Sequence, residues 1–173
     1  TFGSSVENIT AYQMTTGKCT TRKGTFDAYV TMTTPDYENA QYSSSLVKGN
    51  YFTENDMDSG RPVCVIDELT ARYLFGNTNV VGMSFELAID SGIQEVTILG
   101  IRETSADMME VEAAYQSMGM PESISIEIPY TLSEAFGQPV EGFSSISLTA
   151  ADTDSASHIA ETAVRLLGSR HQD

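Results

Sequence analysis

From Glu122 to Tyr130 the chain reads Glu-Ser-Ile-Ser-Ile-Glu-Ile-Pro-Tyr, with isoleucine at every second position of its centre. Only an extended strand places Ile124, Ile126 and Ile128 on one face, because side chains alternate sides along a strand and spiral around a helix. The segment is therefore predicted to be a strand with one buried face. Pro129, which has no N–H for a ladder, ends it.

Other stretches extend this reading. Ile9–Thr34 is rich in Thr, Tyr and Val and is interrupted by Arg22-Lys23-Gly24, which predicts a β-hairpin turning at 22–25. Pro35 and Asp36 end that hairpin, and residues 36–45 read as loop or irregular helix. Val63–Ile66 is a short apolar run, predicted to be a buried strand. Asp67 can cap the helix that follows, Glu68 suits its first turn, and Gly76 stops it after Leu74 and Phe75. Two strand-like runs flank Asp90-Ser91-Gly92 and predict a second hairpin. Ile146 and Leu148 share one side of another strand. A helix is expected within 104–119, holding Met108, Met109, Ala113 and Ala114. A last one is expected from about Ser155 to Leu167, capped by Asp152 or Asp154 and ended by Gly168. Its stripe is Ile159, Ala160, Ala163, Val164, Leu166 and Leu167. Strands in runs, broken by few helices, favour α+β over a doubly wound parallel sheet.

The chain has 173 residues, enough for one large domain or two small interleaved ones. Apolar residues make up 40% of it, which argues for a core and against disorder. Against 24 Asp and Glu stand 9 Lys and Arg, for a net charge of -15. Such a surface repels nucleic acid and anionic lipid, and it suits either plain solubility or a basic partner. No run approaches the roughly 18 apolar residues that a membrane-spanning helix needs. The chain starts at Thr1 and enters strand-like sequence almost at once, so it is expected to be a piece of a longer protein. Cys19 and Cys64 each lie in an apolar strand-like stretch with no CxxC or neighbouring His, so zinc is not expected; buried free thiols are the first expectation and a disulfide between the two is the alternative.

Motifs for chemistry are scarce. The strand–helix step at Ile66 has no glycine loop, and Asp67 and Glu68 would repel a phosphate where a nucleotide site needs amide N–H groups. No GxSxG is present, and the two histidines, His158 and His171, read as surface residues. In the acidic stretch Glu54–Gly60, Gly60 falls at the fifth position counted from Asp56. The EF-hand register is therefore wrong, and a solvated turn is expected there, with a helix cap at the second acidic cluster, Asp152–Asp154. No catalytic residue, cofactor or metal ligand is assigned. Four of the eight methionines, Met108, Met109, Met118 and Met120, crowd one short segment. Thioethers fill core gaps or form adaptable contact surfaces; packing is the first expectation, and partner binding by these four is the second.

Taken in order, several stretches resemble the extracytoplasmic domain of MacB-type (FtsX-like) ABC transporter permeases. The stretches are Gly49-Asn50-Tyr51-Phe52, Arg61–Asp67, Leu74-Phe75-Gly76, Val81-Gly82, Ile98–Ile101, Ile128-Pro129-Tyr130, Ser145–Leu148 and Leu166–His171. Segment 102–122 matches no part of that pattern.

The resemblance implies an α+β fold of two interleaved subdomains. Residues 1–45 and 123–173 would form a porter-like α/β sandwich, and residues 46–122 an inserted, mainly β, sabre-like part. It implies flanking transmembrane helices, a permease dimer in the full protein and an isolated domain that is monomeric. A separate cytoplasmic ATPase and an extracytoplasmic adaptor or substrate protein are the implied partners. The function implied is non-enzymatic: coupling ATP hydrolysis to export or mechanotransmission outside the bacterial cytoplasmic membrane. The alternative is a free-standing extracellular ligand-binding or adhesion domain. Val63, Val65, Ile98, Ile126, Ile146, Val164 and Leu167 are the expected core positions.

Overall fold

The computed structural model of the chain describes residues 6–40, 43–119, 123–140 and 142–150. Strands β1 (Val6–Thr21) and β2 (Gly24–Thr33) form the first hairpin, with Thr21 opposite Gly24 across the turn. A 3-10 turn, Pro35–Asn39, leads to β3 (Leu46–Gly49). Then come α1 (Glu54–Asp58), β4 (Val63–Asp67) and α2 (Glu68–Phe75). The second hairpin is β5 (Ser84–Ile89) and β6 (Gly92–Arg102), with Asp90 at φ 47 in its turn. Helix α3 (Ala106–Ser117), β7 (Ser123–Pro129), a 3-10 turn (Tyr130–Phe136) and β8 (Ser145–Ala150) follow.

The sheet runs β2-β7-β4-β6-β5-β1, and β1 then pairs back with β2, so these strands close into a ring. The length of β1 allows this. Its C-terminal part holds β2 on one edge and β5 on the other, while its N-terminal part holds β8. Ring closure leaves these strands without a free edge where they pair on both sides. The pairs β2–β7 and β4–β6 are parallel and the others antiparallel.

The isoleucine alternation works as expected. Ile124, Ile126 and Ile128 stand opposite Ala28, Val30 and Met32 of β2, and all six are buried. With Cys19, Cys64, Ile66, Leu87, Ile89, Val96 and Ile98 they form one core. Helix α2 adds Ala71 and Leu74, and the second 3-10 turn adds Leu132 and Phe136. Helix α2 begins and ends as predicted: Asp67 accepts the Thr70 N–H at 2.7 Å, and Gly76 sits at φ 83. Cys19 and Cys64 are buried free thiols, and burial pushes both above the usual thiol range.

A bulge divides β6. Cys64 faces Ile98 but Val65 faces Gly100, so Leu99 is the extra residue. The phase of the strand reverses there. Val96 and Ile98 belong to the main core on alternate positions, and Ile101 rejoins it one position out of step. Bulges re-aim side chains in this way. On the other face of β4, Val63 and Val65 join Tyr51 and Phe52 in a second small core, where the two rings stack at 4.3 Å. The chain reaches it through Gly49, at φ 70, where a Cβ would lie 2.1 Å from the Leu99 carbonyl oxygen.

The expected core positions Val63, Val65, Ile98 and Ile126 are buried, but Ile146 is 60% exposed. Strand β8 lies beside β1 and outside the ring, so its side chains do not reach the interior. Val164, Leu167 and the helix expected over 155–167 lie outside the described residues.

Gly92 opens β6 against the second 3-10 turn, where an added Cβ would meet three backbone atoms of Phe136 at 2.4–2.7 Å. Backbone on both sides leaves no side chain to yield. Gly92→Ala is expected to destabilise the fold by about 2–3 kcal/mol in urea unfolding, the upper range for overpacking.

Candidate functional site

The reversed phase of β6 brings Arg102 to the face of β4 that carries Val65, and Glu127 of β7 faces Val65 from the opposite strand. Arg102 therefore crosses over β4 to reach it. Its Nε donates to Glu127 Oε1 at 2.8 Å, with 5% of the Arg102 side chain exposed and 18% of Glu127. The other carboxylate oxygen accepts the Tyr51 hydroxyl at 2.6 Å. The guanidinium lies over the Tyr51 ring, 5.0 Å from its centroid. Its Nη atoms donate to the carbonyls of Glu38 at 3.2 Å, Tyr37 at 3.4 Å and Ser44. One side chain thus ties together the end of β6, the middle of β7, the chain after β3 and the linker before it.

Burial pushes the Glu127 carboxyl above its usual range, while Arg102 and Tyr51 pull it back. Burial and the Glu127 charge both raise the Tyr51 phenol.

Beside this cluster is a cavity of about 210 Å³, lined in part by Tyr37, Asp67, Arg102, Glu103, Ser105 and Met108. Asp67 is both a wall of the cavity and the N-cap of α2. Burial raises its pKa, against the Thr70 N–H that favours the charged form. Among the described residues the ion pairs are Lys18–Asp27, Arg61–Asp56 and Arg102–Glu127, so Asp67 has no cation of its own. The lining contains no histidine and no cysteine.

The described methionines of this segment are not core, contrary to the first expectation. Met108, Met109 and Met118 are 42%, 54% and 70% exposed. Helix α3 buries only Glu112, whose carboxylate accepts the Tyr73 hydroxyl at 2.6 Å, and Gln116 donates to that hydroxyl at 2.8 Å. The contacts that hold this helix to the body are polar, and they leave Met108, Met109 and Met118 exposed. Met120, His158 and His171 lie outside the described residues. The acidic stretch Glu54–Gly60 is a capped helix: Thr53 and Asp56 form a capping box, and Arg61 pairs with Asp56 at 2.8 Å. Among the described residues no cluster of His, Cys, Asp or Glu fits a metal ion, and no helix is long and apolar enough to cross a membrane.

Sequence reasoning missed Arg102 and Glu127. Glu127 sits on the polar phase of the isoleucine strand, which reads as solvent-facing. The only hint was a Glu and an Arg in strands otherwise dominated by apolar residues.

Residues 3–166 match the MacB-like periplasmic core domain. The chain belongs to that family. No curated protein sequence matches it. Among solved structures it is similar to the extracellular domain of the noncanonic ABC-type transporter YknZ from Gram-positive bacteria. The TM-score is 0.72 at 20% identity, over 98% of this chain and 79% of that one. It is also similar to the periplasmic region of MacB from Actinobacillus actinomycetemcomitans. There the TM-score is 0.73 at 18% identity, over 97% of this chain and 69% of that one. At these identities the likeness is one of fold. The MacB-like core domain thus stands with the extracytoplasmic domains of ABC transporter permeases, and its fold mixes one sheet with few helices.

Two expectations follow for this MacB-like core domain. Glu127→Ala leaves the Arg102 guanidinium buried without its counter-ion, and the loss in urea unfolding should be about 3–5 kcal/mol. A loss under about 1 kcal/mol would mean that the charge is compensated elsewhere. The second concerns pH. The folded pKa of Asp67 is raised above its unfolded value of about 3.9, so its contribution is fully present below that pH and is lost as pH rises through the folded value. Asn caps helices as well as Asp, so Asp67→Asn keeps the cap and removes the penalty. Stability measured from about pH 3 to pH 7 should match wild type at the acid end and exceed it at neutral pH.

Proposed function

We propose that this domain is a rigid, non-catalytic outer body of an ABC transporter permease, coupling cytoplasmic ATP hydrolysis to export or mechanical work outside the membrane. The match to the MacB-like periplasmic core domain over residues 3–166 carries this reading. The closed ring of strands supports it, because a close-packed interior passes a displacement on and does not absorb it. The partners in this reading are the flanking transmembrane helices, a second permease copy and the cytoplasmic ATPase. An extracytoplasmic adaptor or substrate protein would meet the domain at the methionines of the 108–120 segment.

Residues 46–122 are proposed as an insertion of the sabre type within a porter-like frame of 1–45 and 123–173. On this division the Arg102 cluster would join the two parts, since Arg102 and Tyr51 belong to residues 46–122 and Glu127 and the Tyr37, Glu38 and Ser44 carbonyls to the flanking residues. A cluster so placed would keep the two parts moving together.

The test uses the intact permease with cysteine pairs placed across the dimer face of the outer domains. Crosslinking yields should differ between the ATP-bound and nucleotide-free states. Identical yields in both would rule out an ATP-driven movement of this domain.

A further inference from the structure

Helix α3 carries a seam. Met108, Val111, Tyr115 and Met118 follow each other at steps of three, four and three, the spacing that lines up one face for a second helix. Met108, Val111 and Met118 are 42%, 44% and 70% exposed, and Tyr115 is half-buried. The seam lies to one side of Glu112 and Gln116, which face the body through Tyr73. Asp107 and Glu110 flank it on the outer side. From Glu103 to Met118 there are four acidic residues, Glu103, Asp107, Glu110 and Glu112, and no Lys or Arg. At the N-terminal end of the seam Met108 also lines the 210 Å³ cavity, whose wall includes Asp67 and Glu103.

We propose that α3 docks a basic amphipathic helix of a partner protein. The partner's apolar stripe covers Met108, Val111, Tyr115 and Met118, its flanking Lys or Arg residues face Asp107 and Glu110, and one lysine enters the cavity toward Asp67. The spacing selects a helix as occupant, since an extended strand presents alternate residues and would not follow the seam. The charge selects a basic one. A second copy of this chain would bring another net charge of -15 to an acidic face, and an anionic bilayer would be repelled in the same way. Unbranched thioethers suit a contact that adapts to its partner. The inference rests on the proposed function only in assuming that a protein partner exists outside the membrane.

The methionines supply the assay. With ¹³C-methyl methionine in this chain, a synthetic helix of three heptads is titrated in, with Leu at the seam positions and Lys beside them. The Met108 and Met118 methyl signals should shift. Met14 and Met83, exposed at 53% and 43% elsewhere, should not, and neither should Met32 of the core. Met108→Gln with Met118→Gln should weaken binding by about tenfold or more at an unchanged Tm, since both side chains are exposed. Asp67→Asn should weaken it by a few-fold, and Asp107→Asn with Glu110→Gln should reduce its salt dependence. The proposal fails if Met14 and Met83 shift as much as the seam, if the double Gln variant binds as well as wild type, or if a peptide with Glu in place of Lys binds equally. An unchanged affinity for Asp67→Asn removes the cavity from it. Self-association through α3, or binding to vesicles of anionic lipid that the Gln variant abolishes, would replace the helix by another occupant. ATP-dependent crosslinking in the double Gln permease would separate the two readings: retained there, it leaves the outer-body function standing whatever the peptide does.

Discussion

The ion pair between Arg102 and Glu127 is the constraint around which the rest of the fold is arranged. Two charges cannot be withdrawn from water in isolation, and this pair carries further hydrogen bonds on both of its members. The Tyr51 hydroxyl donates to the second carboxylate oxygen, and three carbonyls accept from the guanidinium Nη atoms. Those partners come from two stretches of chain, the linker before β3 and the segment just after it. Meeting the electrostatic demand of one arginine therefore fixes the path of the linker after the first hairpin, the approach of the Tyr51–Phe52 pair and the phase of β6. The bulge at Leu99 is part of this arrangement. Without the extra residue, Arg102 would lie on the interior face with Ile98, where no carboxylate is available.

The main core, by contrast, needs no polar partner. It is an aliphatic filling for a closed sheet, with β2 and β7 in register so that alanine, valine and methionine meet three isoleucines. The outer face of β4 is built on a different principle, part aromatic and part ionic, and the cavity opens on that side. Helix α3 is attached there by side-chain hydrogen bonds and not by apolar burial. Such an element can be repositioned at less cost than any ring strand.

What could be read from the sequence was what is local. The alternation of Ile124, Ile126 and Ile128, the two hairpins, and the Asp67 and Gly76 ends of α2 all depend on residues a few positions apart, and all appear in the structure. Short elements were missed. Strand β3 has only four residues, and α1 read as a turn because its capping box and its acidic side chains look alike in sequence. Non-local facts were out of reach. Nothing near Glu127 announces a guanidinium from a distant strand, and Ile146 looks like core until β8 is seen to lie outside the ring. The methionine segment stood out by composition alone. Whether such residues face inward depends on what else the helix offers the body, and in α3 that is one glutamate and one glutamine.

The parallel pairing of β2 with β7 has a bearing on how the chain is made. Asp27 leaves the ribosome long before Ser123, its partner in the register. In the interval the outer edge of the first hairpin is an unpaired row of amides and carbonyls beside Val30 and Met32, open to any strand from a neighbouring nascent chain. Closing the sheet is consequently a late event that joins distant parts of the polypeptide, of the kind that makes folding slow. For a domain that folds after crossing a membrane, that edge is the place where a chaperone would do most good.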